Sequence, residues 1–314
     1  MKTLLLLLAI AAAVIAAPPE PKFTAQDIDK SVKVGYGIAI ADVDGDKLPD
    51  ILLADARQIR WYKNPGKRGT EWPRYVIAEE LTKNDNVCIA AQDIDGDGKC
   101  EIAIGAEWNP GDTINSGAVF YLIPPTDRTQ KWEPVKFPSV EPTTHRMKWV
   151  RTGEKDWGLV VLPLHGRGNK NGEGAPVKVI LYHKPADVKV GWKSQVLDES
   201  MHATHNFEIT SDGMLVSAWI AGKEGTRKIT HAISQAKSIA HTTSRSESQG
   251  TGEIRRGKLG LHNSFETTVE PMHGNNLVIY PMTLDFTDGK ENGRKISSSK
   301  TGLFIWEARV KEGA

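Results

Sequence analysis

Two acidic segments of nine residues carry the densest chemistry in the chain. They are Asp42-Val43-Asp44-Gly45-Asp46-Lys47-Leu48-Pro49-Asp50 and Asp93-Ile94-Asp95-Gly96-Asp97-Gly98-Lys99-Cys100-Glu101. Carboxylates at positions 1, 3, 5 and 9 can converge on one hard cation, and the carbonyl at position 7, Leu48 or Lys99, can complete an oxygen cage of the kind Ca²⁺ takes. Neither segment is an EF-hand. Position 12 is Leu53 or Ile104 rather than Glu, and the flanking residues have the composition of strands, not helices. The spacing predicts bound calcium in both loops, with the carboxylates consumed as ligands.

A second group of reactive side chains is dispersed along the chain. His145 follows Pro142-Thr143-Thr144, and His165 opens His165-Gly166-Arg167-Gly168-Asn169. His202 and His205 share Met201-His202-Ala203-Thr204-His205-Asn206, and His273 lies in Pro271-Met272-His273-Gly274-Asn275. Each sits beside an apolar run and next to Gly, Asn or Arg. His183, His231, His241 and His262 lack such contexts and are expected at the surface.

Positioning such dispersed groups requires a repeating scaffold, and the sequence has one. Trp72, Trp132 and Trp192 are spaced 132 − 72 = 60 and 192 − 132 = 60. Each follows an apolar run ending in an aromatic and then Pro: Ile59 to Pro65, Val119 to Pro124, and Ile180 to Pro185. Short runs at 37–41, 50–54, 87–91, 101–105 and 158–162 read as strands separated by Gly, Asp and Pro turns. Several short strands per repeat, at a period near 60, predict an all-β fold, a β-propeller with five to six blades evident. Strand ends in a propeller converge on its axis, so histidines distant in sequence can meet there. Trp108, in an extended loop after the second acidic segment, is a candidate stacking platform for a sugar. The stretches 231–249 and 286–300 read as irregular.

With 314 residues and 40 Lys+Arg against 39 Asp+Glu, the formal charge is +1, and no basic cluster suggests nucleic acid as a partner. Met1-Lys2, the apolar run Leu4 to Ile15 and the small residues before Pro18 read as a signal peptide over 1–16. The rest, 17–314, is then a secreted or periplasmic propeller with no membrane span. Cys88 and Cys100 read as two small buried residues.

The segments 37–46 and 87–97 resemble FG-GAP/VCBS repeats, the calcium-binding blades of integrin-type propellers. The histidine segments, within roughly Gly35 to Tyr280, are similar to the propeller domain of the aldos-2-ulose dehydratase family and its bacterial secreted relatives. That resemblance implies a seven-bladed pattern and a channel site that removes water from a keto-sugar such as 1,5-anhydrofructose. The family's cupin domains have no counterpart here, so isomerisation of the product is not expected. Eliminating water β to a ketone needs a base for the α-proton, an electrophile on the carbonyl oxygen and an acid for the leaving hydroxyl. In this reading His145 and His165 are acid–base candidates, and Arg146 and Arg167 stabilise the developing enolate. His202, His205 and His273 are candidate ligands for a channel Zn²⁺ or similar ion. The alternative is a non-catalytic calcium-binding propeller that binds glycans or proteins.

Overall fold

The structure is a computed structural model. It describes residues 26–233 and, beyond them, the backbone of short strands between 238 and 297. The segment 1–16, His262 and His273 lie outside the described residues, and His241 lies in a strand described by its backbone only.

Sixteen strands form four sequential antiparallel meanders. Blade 1 is β1 (Gly37–Ala41), β2 (Asp50–Ala54), β3 (Gln58–Tyr62) and β4 (Arg74–Glu79). Blade 2 is β5 (Cys88–Gln92), β6 (Glu101–Ala106), β7 (Ala118–Ile123) and β8 (Glu133–Lys136). Blade 3 is β9 (Thr144–Arg151), β10 (Trp157–Pro163), β11 (Val179–His183) and β12 (Lys193–Asp198). Blade 4 is β13 (Thr204–Ser211), β14 (Leu215–Gly222), β15 (Gly225–Ala232) and β16 (Ser238–Thr243). A further meander begins with β17 (Glu253–Gly257) and β18 (Glu266–Glu270). The chain is a β-propeller. The first strands of successive blades lie side by side, β1 on β5, β5 on β9, β9 on β13 and β13 on β17, and so define the inner wall. The strands expected from composition agree with β1, β2, β5, β6 and β10 to within a residue at each end.

Part of the stretch 231–249, expected to be irregular, is regular instead. It holds the end of β15 and all of β16, paired from Thr226↔Thr243 to His231↔Ser238. Ser, Thr and Ala weaken the hydrophobic signal of an outer strand without preventing its backbone pairing. His231 also departs from the surface position expected of it. It is 1% exposed, because Gln195 of the neighbouring blade covers it and places its amide nitrogen 2.8 Å from His231 Nε2.

Both faces of each blade are apolar, so each sheet is stable only between neighbours. Leu52, Ile59, Trp61 and Ile77 of blade 1 pack on Ile102, Ile104, Phe120 and Trp132 of blade 2. Tyr121 and Phe137 of blade 2 meet Trp149, Tyr182 and Trp192 of blade 3. Leu162 and Leu181 of blade 3 meet Phe207 and Ile220 of blade 4. The repeated tryptophans therefore pack backwards onto the preceding blade. Each anchors its indole to the carbonyl four residues earlier: Trp132 Nε1 donates to Arg128 O at 2.9 Å and Trp192 Nε1 to Val188 O at 2.8 Å. Trp72 of blade 1 is half-buried and belongs to none of these three clusters. Both cysteines are free and buried, and burial pushes each thiol up to about 12.

Trp132→Ala opens a cavity between blades 1 and 2 and is expected to cost about 3–5 kcal/mol. Urea unfolding followed by circular dichroism, at fixed calcium concentration, measures it.

Candidate functional site

The acidic segments form the β1–β2 and β5–β6 connections. Gly45 and Gly96 adopt φ of +82° and +84°, the left-handed turn that lets the chain curl around its own first carboxylate. The same hydrogen-bond pattern is built twice. Asp42 accepts from the amides of Gly45 and Lys47, both at 2.7 Å, and Asp93 from those of Gly96 and Gly98 at 2.7 and 3.0 Å. The last carboxylate turns back into each loop, Asp50 accepting from Val43 N at 2.9 Å and Glu101 from Ile94 N at 3.0 Å. In each loop three carboxylates, those of Asp42, Asp44 and Asp50 or of Asp93, Asp95 and Glu101, offer oxygens within 4.8 Å of one another. This all-oxygen donor set fits a hard divalent cation. Burial raises the Asp50 carboxyl and pushes Glu101 up to about 7, with the neighbouring loop carboxylates acting in the same sense. The position-five residues are engaged differently. Asp46 accepts from Leu48 N at 2.9 Å and pairs with Lys63, and Asp97 accepts from Lys99 N at 2.8 Å.

The histidines are positioned by irregularities in the inner strands. In β9, Arg146 pairs with Leu162 and Thr144 with Pro163, which leaves His145 as the extra residue of a β-bulge. In β13, Asn206 pairs with Ala221 and Thr204 with Gly222, so His205 is the extra residue of a second bulge. Bulges of this kind re-aim a side chain. The two imidazoles meet with ring centroids 4.8 Å apart. Trp108 of blade 2 stacks on His145 at 5.3 Å and 20°, and Tyr36, just before β1, meets Trp108 edge-on at 6.5 Å. Four successive blades thus contribute one ring each to a single arc along the inner wall.

The rings of the arc differ in exposure, with His145 the most buried. Tyr36 is 47% exposed, whereas His145 is 6% exposed. Burial holds His145 well below its ordinary range, with the charges of Arg146, His205 and His165 acting in the same sense. The His205 backbone carbonyl opposes them. Burial also lowers His165. Both rings are therefore neutral at pH 7, with burial making each a weaker base than a free imidazole. The Thr143 hydroxyl pins the His165 backbone, accepting from its amide at 2.9 Å and donating to its carbonyl at 3.2 Å. The Nδ1 atoms of His145 and His165, the Thr144 hydroxyl and the Asn169 amide oxygen are buried without a hydrogen-bond partner.

His202 points elsewhere. Its backbone amide and Nδ1 lie 2.9 and 2.8 Å from Glu224 Oε1, at the β14–β15 turn. Among the described residues, no three of these imidazoles bring nitrogens within 4.8 Å of one another. Arg146 donates to the His145 carbonyl at 2.9 Å and stays beside the arc. Arg167 braces loops, donating to Ile114 O at 2.9 Å and Val140 O at 3.2 Å and pairing with Glu141. Trp108 presents a face to His145, so it positions that imidazole. Sequence reasoning overlooked Tyr36, Asn169 and Glu224. It also passed over one signal: His205 and His145 are spaced 205 − 145 = 60, the period of the tryptophans.

The family described as an FG-GAP-like repeat matches residues 42–104, from the first acidic loop through most of β6. No curated protein matches the sequence. Among solved structures, the chain is similar to one in the crystal structure of a nidogen/laminin complex, at 13% identity and a TM-score of 0.48, over 83% of this chain and 80% of that one. It is also similar to the Dos1 propeller, at 10% identity and a TM-score of 0.45, over 77% of this chain and 55% of that one.

Because the native pKa of His145 lies below its ordinary value of 6.5, the unfolded chain takes up a proton that the folded chain refuses. The stability contribution is intact above about pH 6.5 and is lost below it, at up to about 1.4 kcal/mol per pH unit. His145→Gln lacks this term. Urea unfolding at pH 7.5, 6 and 5 is expected to show the wild type losing stability relative to the variant as pH falls.

Proposed function

We propose that the inner wall of this propeller is the active site of a hydro-lyase that dehydrates a keto-sugar, with calcium in the two acidic loops holding blades 1 and 2. The observation that supports it most is the pairing of two bulged imidazoles, one of them buried and neutral, on an arc that Trp108 continues to the exposed phenol of Tyr36. In this reading the neutral imidazole of His145 takes the α-proton. The electron pair of the broken C–H bond passes into an enolate and then into the new C=C bond. The β C–O bond breaks, and the hydroxyl departs as water with a proton supplied by His205. Arg146, adjacent to His145, counters the enolate charge. A cation held by His202, His205 and His273 would polarise the carbonyl in its place, but the position of His202 on Glu224 favours Arg146. Tyr36 offers its exposed ring to the sugar, the part first expected of Trp108. Calcium in the loops is a structural element in this reading, since the carboxylates are consumed as ligands. The leader over 1–16 makes the protein secreted or periplasmic.

Purified protein assayed on 1,5-anhydrofructose is expected to form an enone absorbing in the near ultraviolet. His145→Gln and His205→Gln are each expected to lower kcat by about 10²–10⁴-fold, the usual loss of a general acid or base. Wild-type protein that binds calcium but leaves keto-sugars unchanged would transfer the assignment to the non-catalytic glycan- or protein-binding propeller.

A further inference from the structure

A cleft of about 380 Å³ opens between the two acidic loops, at the seam of blades 1 and 2, away from the histidine arc. The loops touch across this seam. Cys100 N donates to Asp42 O at 2.8 Å, and the Lys99 stem lies so close over Gly45 that a Cβ there would meet it at 3.0 Å. Trp61 and Tyr75, packed 4.9 Å apart, line the cleft together with Lys63, Lys99 and Arg128. Three cations therefore face one small space.

Each of these cations rests on a carboxylate of the acidic loops. Lys63 bridges Asp44 and Asp46, with the second contact at 3.1 Å. Arg128 lies 3.7 Å from Glu101 and 4.0 Å from Asp97, and Lys99 lies 4.0 Å from Asp97. Arg128 is also held rigidly, donating to Cys100 O at 2.7 Å and lying over the Trp132 ring. A divalent ion held by the converging carboxylates of either loop competes with Lys63 for Asp44 and with Arg128 for Glu101, and so weakens their counter-charge. Arg128 stays anchored through Cys100 O and the Trp132 ring. Asp127, the remaining acid of the lining, turns onto its own loop, accepting from Thr129 N at 3.0 Å and Thr129 Oγ1 at 2.7 Å.

We propose that this cleft is a cation-dependent binding site for a carboxylated sugar, with Lys63, Lys99 and Arg128 receiving the carboxylate and the partly exposed Tyr75 ring, braced on the buried Trp61, receiving the sugar ring. The size of the cleft suits one saccharide unit rather than a protein surface. An aromatic wall beside fixed cations is chemistry for a charged sugar. The proposal rests on calcium loading of the acidic loops but not on lyase activity.

Isothermal titration first measures calcium binding to the full chain. Saturation-transfer NMR then compares galacturonate with galactose, in calcium and in EDTA. Galacturonate is expected to bind in calcium, at least tenfold more weakly in EDTA, and galactose not at all. Lys63→Met and Lys99→Met, whose side chains are partly exposed, are each expected to weaken galacturonate at least fivefold while calcium still binds. Arg128→Gln is expected to do the same, with circular dichroism checking its contact with Trp132. Galacturonate binding indifferent to calcium or to the lysine variants overturns the proposal. Calcium binding with no uronate binding overturns it and leaves the cation reading standing. A chain that binds no calcium overturns both.

Discussion

Every feature of this molecule depends on the face-to-face packing of neighbouring blades. A four-stranded meander with apolar residues on both faces has no stable solution alone, and each of the three inter-blade clusters supplies what its two sheets lack. The packing also sets the angle between blades and so brings the inner strands β1, β5, β9 and β13 side by side. Tyr36, Trp108, His145 and His205 share an arc for that reason alone, since more than 160 residues of sequence separate its ends. The acidic loops have the same dependence. They face one another only because blades 1 and 2 are pressed together through Leu52, Ile102 and Trp132.

Burial acts on the two candidate sites with opposite sign. It disfavours whichever form of a group is charged, so it lowers the buried imidazole of His145 and the half-buried one of His165 and raises the buried carboxyls of Asp50 and Glu101. The imidazoles are held neutral. The carboxylates are left in need of positive charge. Lys63 and Arg128 supply part of it from outside each loop. One low-dielectric interior thus leaves one group of residues neutral and the other short of positive charge.

The strands were readable because they are short, apolar and separated by Gly, Asp and Pro, and the acidic loops because their spacing is local. The inner-wall site was harder to read, for identifiable reasons. His145 and His205 face each other because of bulges, and a bulge leaves no mark on the alternation of a strand. His202 and His205 part because His202 lies in the bend before β13, held on Glu224, while His205 is the bulged residue of the strand. Glu224 lies in Gly222-Lys223-Glu224-Gly225, which reads as an ordinary solvated turn. Tyr36 stands alone in a glycine-flanked stretch with no periodicity. His231 seemed a surface residue because its cover, Gln195, comes from another blade and leaves no trace in the local sequence.

The arc also shows how a repeating scaffold escapes its own symmetry. Blades 3 and 4 deliver their rings from the same place, the bulged start of the first strand, sixty residues apart. The residue one period before His145 is Asp85, and its backbone pairs with Trp108, so blade 2 fills the corresponding space from the exit of its second strand. Blade 1 uses Tyr36, from the approach to its first strand. The backbone thus offers equivalent positions, while the side chains at them differ in size, charge and exposure. The wall runs from an exposed phenol through a half-buried indole to a buried, neutral imidazole and then to the half-buried ring of His205, so its driest point lies within it and no two of its positions are alike.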